Sequence, residues 1–400
     1  MNQRWQIRMN ISYNGKGFCY HSRQIYIFEI LTSKIFLEII QIYILRGFLI
    51  RCKLSTHLFS FLIKSKPQLL DYYMEPKVYG IGNPLIDVVI SSTDKDLKNL
   101  ELSKGVMHLV DENRQSEIIQ YFKKSTPQYL PGGSAPNTLL ACAGLGTPSL
   151  IAGKIGHDEF GNIYQEQADR YGVVSGLVRG DGPTGSSIIL VTPDGERTMN
   201  THLGMCREYS PADIDEKKLA HSTFFYFTGY MWDTDSQKAA IKKAISIAKE
   251  NNVQIIFDVA DPFAVDRNKD EFLIMIEHDV DVLFANYAEL AILFDSENVD
   301  SSADQLMKIV HRAGIKLGKK GSLVLDDGKK YHLPPQPISA IDSTGAGDMY
   351  AAGFLTALAK GYSIKRAGEI GGLLAEEIIQ QSGAQFAIDK INFLRIKFFK

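Results

Sequence analysis

Gly345, Gly347 and Asp348 are residues whose types and spacing could cradle an anionic group and drive its transfer. They lie in Ile341-Asp342-Ser343-Thr344-Gly345-Ala346-Gly347-Asp348-Met349-Tyr350-Ala351-Ala352-Gly353-Phe354, small and Gly-rich in its first half and mostly apolar in its second. The pattern predicts a loop running into a buried helix. A helix N-terminus presents unpaired N–H groups and partial positive charge. Glycines there let the backbone approach an anion with no Cβ in between. Asp348 falls in the first turn of this cradle. A phosphate repels a carboxylate, so phosphate binding does not explain it. Acceptance of a proton from an attacking hydroxyl does. Taken alone, the stretch also fits an ordinary Gly-rich turn capped by an aspartate.

Other motifs accompany it. The run D-S-T-G-A-G-D resembles the C-terminal signature of the ribokinase (pfkB) superfamily of sugar and nucleoside kinases. Gly132-Gly133-Ser134-Ala135-Pro136-Asn137, followed by the helical run Thr138–Leu145, resembles the upstream signature. Tyr79-Gly80-Ile81-Gly82-Asn83-Pro84-Leu85-Ile86-Asp87 resembles the family's opening, and Asn286-Tyr287-Ala288-Glu289 its N-x-x-E element. Gly156-His157-Asp158-Glu159-Phe160-Gly161 is similar to its G-x-D-x-x-G element. The resemblance spans roughly Met74 to Phe386, with the motifs in the family's order. Within the superfamily, G-N-P-x-x-D and G-G-S-x-x-N are most similar to the adenosine kinases.

The resemblance implies a ribokinase-like three-layer α/β/α sandwich with a mainly parallel central sheet and a small β-sheet lid. It implies ATP-dependent phosphoryl transfer to a primary hydroxyl, with ATP and Mg²⁺ as cofactors. Asp348 would be the base, and the backbone N–H groups of Gly345, Ala346, Gly347 and Asp348 would stabilise the transferring phosphoryl group. Asn83, Asp87, Gly132, Gly133, Ser134 and Asn137 would line the substrate side. An ionised Asp87 can accept two hydrogen bonds from a vicinal diol. Asn286, Gly318 and Thr344, with Gly345 and Gly347, would line the ATP side. Glu289 and Asn286 would hold Mg²⁺ through water, because this ion gives up its hydration shell reluctantly.

Two departures bear on substrate and nucleotide. Lys316 stands where the family often has Thr, two residues before Gly318. It could neutralise a phosphate or point into solvent. Ser134 stands where a ribokinase-like G-G-K element would place its Lys. That favours a nucleoside over free ribose. A nucleoside base needs an apolar, partly aromatic slot, and Tyr230 and Met231 are the candidates for one wall, Met107 and Leu109 for the other. Trp232, next in sequence, reads as ordinary core. The expected reaction is phosphorylation of the 5′-hydroxyl of adenosine. The alternatives are a sugar kinase of the same fold and a nucleotide-binding regulator that has lost catalysis.

The elements that must position these residues can be read in order. Val78–Gly82 is a short strand ending in glycine. Residues 88–115 alternate strand-like and polar pieces, and roughly 88–115 and 184–206 are assigned to the lid. Thr184–Thr192 is β-rich; Pro193-Asp194-Gly195-Glu196 is a turn, and Arg197–Asn200 returns as a strand. Arg197 reads as an exposed edge-strand residue, although it could reach phosphates on closure. His157 reads as a surface residue. From Phe224 onward strands and helices alternate, which implies a parallel sheet covered on both faces. Ligands of such sheets bind beyond the carboxyl ends of the strands. Asp87, Asn286 and Asp348 all follow predicted strands, so they can converge on one edge.

The chain of 400 residues is 45% apolar and 22% charged, as in an ordinary soluble globular protein. Its formal net charge of −2 makes no case for nucleic-acid binding. Residues 1–70 carry +8 and the remainder −10, so a mildly acidic body has a basic, apolar extension. Cys19, Cys52, Cys142 and Cys206 show no C-x-x-C spacing, which fits neither a zinc site nor a disulfide framework and agrees with a reducing cytoplasm. Charges at Glu29, Lys34, Glu38 and Arg46 interrupt the apolar stretch 25–50, so no membrane span is expected. Residues 1–73 are expected to be dispensable, and residues 74–390 to form the kinase domain. The expected partner is a small-molecule substrate, with neither nucleic acid nor membrane; the sequence leaves the oligomeric state open.

Overall fold

The structure, a computed structural model, describes residues 75–399. The expectation for residues 1–73 falls wholly outside them. In chain order the strands are β1 Val78–Ile81, β2 Leu85–Ser91, β3 Met107–Leu109, β4 Gln128–Gly132, β5 Ser149–Gly156, β6 Val174–Gly180 and β7 Ser186–Val191. They continue with β8 Arg197–His202, β9 Phe224–Thr228, β10 Gln254–Asp258, β11 Val282–Asn286, β12 Arg312–Lys316, β13 Ser322–Asp326 and β14 Lys329–Leu333.

Nine strands form the large sheet in the order β14-β13-β12-β11-β10-β9-β1-β5-β6. All neighbours from β6 to β12 are parallel, and β13 and β14 add an antiparallel edge. Side chains alternate across a strand, so each parallel strand feeds two cores. Tyr79, Ile81, Phe225, Phe227, Ile255 and Phe257 face one layer, with Ala240, Phe272 and Leu290 from the helices Asp235–Glu250, Pro262–Asp279 and Tyr287–Phe294. Val78, Phe224, Tyr226, Ile256, Val282 and Phe284 face the other. The helices Ser134–Gly144, Ala346–Ala359 and Ile364–Ile378 cover that face. The result is the expected α/β/α sandwich.

The Ala346–Ala359 helix is the most deeply placed, with every residue from Met349 to Ala357 buried. Gly353 permits this depth. A Cβ there would lie 2.8 Å from Leu374 Cδ1 and 3.0 Å from the Gly371 Cα of the neighbouring helix. The late hairpin turns at Asp327-Gly328, both with positive φ. That is the chemistry of a two-residue hairpin loop between β13 and β14.

The second sheet runs β3-β8-β7-β2-β4. One face packs Ile86, Val88, Ile90, Ile188 and Leu190 against Leu97 and Ile118, which come from the Asp94–Asn99 and Glu112–Tyr121 helices. The sheet takes more of the chain than the two expected segments, because it begins at Leu85 and includes β4. Pro131 disguises β4 as a loop. It is tolerated because β4 is an edge strand, where a missing N–H breaks no central ladder.

Candidate active site

The parallel strands end on one edge of the large sheet, and that edge carries the chemistry. β10 ends at Asp258, β11 at Asn286 and β12 at Lys316, and the register sets Asn286 opposite Lys316. Two helices start above this edge without side-chain caps. Gly133 caps the Ser134 helix at φ 95°, and Gly345 caps the Ala346 helix at φ 77°. A Cβ at Gly133 would meet the Asn83 carbonyl oxygen at 2.0 Å, so close approach and left-handed backbone both demand glycine. No side chain caps the first N–H groups of either helix, and of these Ala346 N–H donates to the Ser343 carbonyl at 3.2 Å.

Asp348 lies between these two helix starts. Ser134 Oγ donates to its Oδ1 at 2.7 Å, and Asn137 Nδ2 donates to its Oδ2 at 2.9 Å. Burial pushes the Asp348 carboxyl up to about 6, against the pull of these two hydrogen bonds. Asp258 adds to the rise, and the Lys316 ammonium opposes it. A carboxyl in that range is ionised at neutral pH and still basic enough to take a proton. Asn137 is held in turn, since Gln385 Nε2 donates to its Oδ1 at 2.8 Å and to its carbonyl at 3.1 Å. That bond orients the Asn137 amide so that Nδ2 faces Asp348. Sequence reading missed Gln385, and no local pattern marks it. Gln385→Leu is expected to lower kcat about fivefold, the scale of one hydrogen bond, and to leave the KM for ATP unchanged. An unchanged kcat would show that Asn137 holds its orientation without Gln385.

Asp87 projects from β2 over Gly132, where a Cβ would come within 2.5 Å of Asp87 Oδ1. Burial pushes Asp87 up to about 7, Arg197 pulls it down, and the charge of Asp348 adds to the rise. The small sheet therefore brings Asp87 into the field of Asp348. Arg197 differs from expectation. It is not an exposed edge residue but donates to Asp342 Oδ2 at 2.7 Å, with 17% of its side chain exposed. β8 lies inside its sheet between β3 and β7, and the ion pair with Asp342 holds Arg197 against the loop before Gly345. Asp342 also accepts from the N–H groups of Thr344 and Gly383, both at 2.9 Å. Burial works against its charge, but these bonds and Arg197 hold the carboxyl below its usual range. Thr344 gives its hydroxyl to the same carboxylate and so shapes the loop.

Other candidates occupy less direct places. Asn83 is 7% exposed, and its Oδ1 accepts from Gln237 Nε2 at 2.8 Å, which ties down the turn after β1. Asn286 and Glu289 form a capping box: Asn286 Oδ1 accepts from the N–H groups of Ala288 and Glu289, while Glu289 accepts from Asn286 N at 2.7 Å and Nδ2 at 2.6 Å. Burial pushes the Glu289 carboxyl up, against the Lys316 charge. Tyr230 is half-buried, with its hydroxyl 3.4 Å from Asp261 Oδ2. Met231 has no exposed surface and packs in the core with Phe227 and Phe257, so it cannot wall a slot. Trp232 is core as expected, donating to Glu271 at 3.0 Å. Gly318 is exposed at the turn after β12, at φ 58°. His157 is exposed, and its neighbour Asp158 caps a helix.

Lys316 does not point into solvent. Its Nζ lies 3.1 Å from both oxygens of Asp258. Burial favours the neutral amine, but Asp258, Glu289 and Asp348 outweigh it and keep the ammonium charged.

A parallel sheet with a small second sheet, two uncapped glycine-started helices and an oriented carboxylate define a phosphotransferase that acts on an alcohol. Residues 109–391 match the pfkB family carbohydrate kinases, and the chain belongs to that family. It is 28% identical over 330 residues to an adenosine kinase of Dictyostelium discoideum, covering 77% of this chain and 96% of that protein. It is 31% identical over 258 residues to an ATP-dependent ribose-1-phosphate kinase of Halopiger xanaduensis, covering 64% and 82%. The crystal structure of adenosine kinase from Sinorhizobium meliloti matches with a TM-score of 0.74 at 32% identity, over 81% of this chain and 99% of that one.

Proposed function

We propose that the protein transfers the γ-phosphate of ATP to the 5′-hydroxyl of adenosine, giving AMP and ADP. The observation that carries this reading is the open face of the small sheet. Strand register aligns Leu130, Asp87, Ser187, Thr201 and Leu109 in one row. The next row on the same face is Val89, Ile189, Met199 and Met107. Met107, Leu109 and Leu130, on the two edge strands, are 42%, 57% and 40% exposed, while Ile189, Ser187 and Thr201 between them are buried. An acidic group set in an apolar platform suits a ribose diol attached to a flat, apolar-faced base. A free sugar would leave that surface facing water. The adenosine kinase relatives support the reading.

In the reaction, Asp348 accepts the proton of the attacking hydroxyl, and Ser134 and Asn137 aim it. Backbone N–H groups from Gly345 to Asp348 stabilise charge on the phosphoryl group. Asp87 holds the ribose hydroxyls, with Gly132 and Gly133 giving clearance. Thr344 and Gly318 border the ATP side. The oxygen donors Asn286 and Glu289 suit Mg²⁺. Glu289 has no exposed surface and its oxygens serve the Asn286 cap, so these residues would hold the ion only through water. When bound, Mg²⁺ neutralises phosphate charge. This reading puts the enzyme in purine salvage, in the cytoplasm. Among the described residues no helix is long and apolar enough to cross a membrane. Residues 1–73 are dispensable on this account.

The ribose-1-phosphate kinase relative keeps a sugar acceptor as the second reading. Steady-state rates with adenosine, inosine, ribose and fructose separate the two. The nucleoside reading expects adenosine to lead in kcat/KM, and a sugar in that position overturns it. ATP binding without turnover on any acceptor would point instead to a regulator.

A further inference from the structure

Asn83 and Asp87 flank the turn Gly132-Gly133. The Asn83 carbonyl oxygen lies 2.0 Å from an ideal Cβ on Gly133, and Asp87 Oδ1 lies 2.5 Å from one on Gly132. Gln237 fixes the Asn83 side chain. It stands in the first turn of the Asp235–Glu250 helix and has no exposed surface. Its Nε2 donates to the Cys206 carbonyl at 2.8 Å and to Asn83 Oδ1 at 2.8 Å. A backbone carbonyl only accepts, so Cys206 decides which end of the Gln237 amide is the NH2. That NH2 needs a second acceptor, so the Asn83 amide must present Oδ1 to it. Asn83 Nδ2 therefore faces away from Gln237. Nδ2 donates to no group among the described residues, yet it is not sealed from solvent. An amide NH2 held in place beside Asp87 and the Gly132-Gly133 turn lacks only an acceptor.

We propose that Gln237 is a positioning residue for the phosphoryl acceptor. Anchored on the Cys206 carbonyl, it sets the Asn83 amide so that its NH2 meets a lone pair of the acceptor, a hydroxyl oxygen or a ring nitrogen, next to the hydroxyls held by Asp87. One side chain thus ties the turn after β1, the short turn Gly204–Glu208 and the Asp235–Glu250 helix to a single substrate contact. The proposal rests on the reading of this site as the acceptor site, and not on the choice between a nucleoside and a sugar.

The test is steady-state kinetics of the full-length protein with the fastest acceptor among adenosine, inosine, ribose and fructose, alongside calorimetric titration with ATP and Mg²⁺. The variants are Gln237→Met, Gln237→Glu, Asn83→Ala and the double variant Asn83→Ala/Gln237→Met. Gln237→Met removes both donors at similar volume and lets the Asn83 amide turn. It is expected to raise the acceptor KM about fivefold to tenfold, the scale of one hydrogen bond, with kcat within about twofold. Gln237→Glu keeps the shape but cannot supply both donors. It is expected to raise KM likewise, and it keeps the test open if Gln237→Met does not fold. ATP affinity should stay within about twofold throughout, because the contact lies on the acceptor side. In the Asn83→Ala background Gln237→Met should add less than about twofold, since the contact it positions is already gone. A full further loss in that background overturns the proposal by showing that Gln237 acts on packing alone. Unchanged KM in both folded Gln237 variants, or equal weakening of ATP and acceptor, also overturns it. If the wild type phosphorylates none of the four acceptors, the reading of the acceptor site fails and takes the proposal with it. If the wild type turns one over and the Gln237 variants match it, the proposal alone fails.

Discussion

Asp348→Asn is expected to lower kcat by about 100-fold or more, the scale of general base catalysis, while ATP binding is largely kept. The substitution retains the shape of the group. An amide at this position can still accept from Asn137 and donate to Ser134, so the local structure should survive. What is lost is the capacity to take a proton. The pH dependence follows from the same group. Its pKa is raised to about 6, so wild-type kcat should fall as pH drops through that value and the carboxylate is protonated. Stability should run the other way. The fold raises the pKa of Asp348, so folding favours its protonated form, and that contribution is lost as pH rises through about 6. Asp348→Asn cannot ionise and should therefore melt at a higher temperature than the wild type at pH 8. The two enzymes should differ less at pH 5. Near-normal kcat in this variant would remove Asp348 from the mechanism.

Asp87→Ala is expected to lower kcat/KM for adenosine by roughly tenfold to a hundredfold or more, since a charge-assisted contact to a substrate hydroxyl contributes about 1.5–3 kcal/mol. Removing one of the hydroxyls should have a related effect. 2′-Deoxyadenosine cannot satisfy both acceptor positions of Asp87 and should be a poor substrate of the wild type. The pair of measurements separates two claims. If adenosine reacts well and 2′-deoxyadenosine reacts equally well, the apolar platform stands and the role given to Asp87 fails. If Asp87→Ala weakens adenosine and 2′-deoxyadenosine to one common level, the diol contact accounts for the difference. The carboxyl of Asp87 is pushed up to about 7, so kcat/KM should also decline as pH falls through neutrality.

The architecture was legible wherever local pattern decides structure. Phe224–Thr228, Gln254–Asp258 and Ser322–Asp326 are short apolar runs between turn signals, and each is a strand. Asp348 was legible because glycine spacing and an apolar helix coincide at one place. What stayed hidden is what long-range contact decides. Gln385 reaches Asn137 across 248 positions, and Lys316 reaches Asp258 across 58. No periodicity encodes such pairings. Asn286-x-x-Glu289 was visible as a motif, but its local work as a helix cap shows only in the bonds between the two side chains. Tyr230 and Met231 are adjacent in sequence, yet the short 3₁₀ turn Gly229–Trp232 leaves the first half-buried and sends the second into the core. Alternation along β2 and β7 sets Ile86, Val88, Ile90, Ile188 and Leu190 on the buried face of the small sheet. Its open face needed the register of all five strands, including β4, which Pro131 concealed.

The most direct test of the account is a competition in one vessel. The wild-type protein is given ATP and Mg²⁺ with equal concentrations of adenosine and ribose, and the phosphorylated products are quantified at low conversion. Their ratio is the ratio of the two kcat/KM values. The account predicts AMP in excess of ribose phosphate by tenfold or more, a difference in transition-state binding of about 1.4 kcal/mol or greater. Ribose phosphate in excess by the same factor would contradict it and identify the acceptor as a sugar.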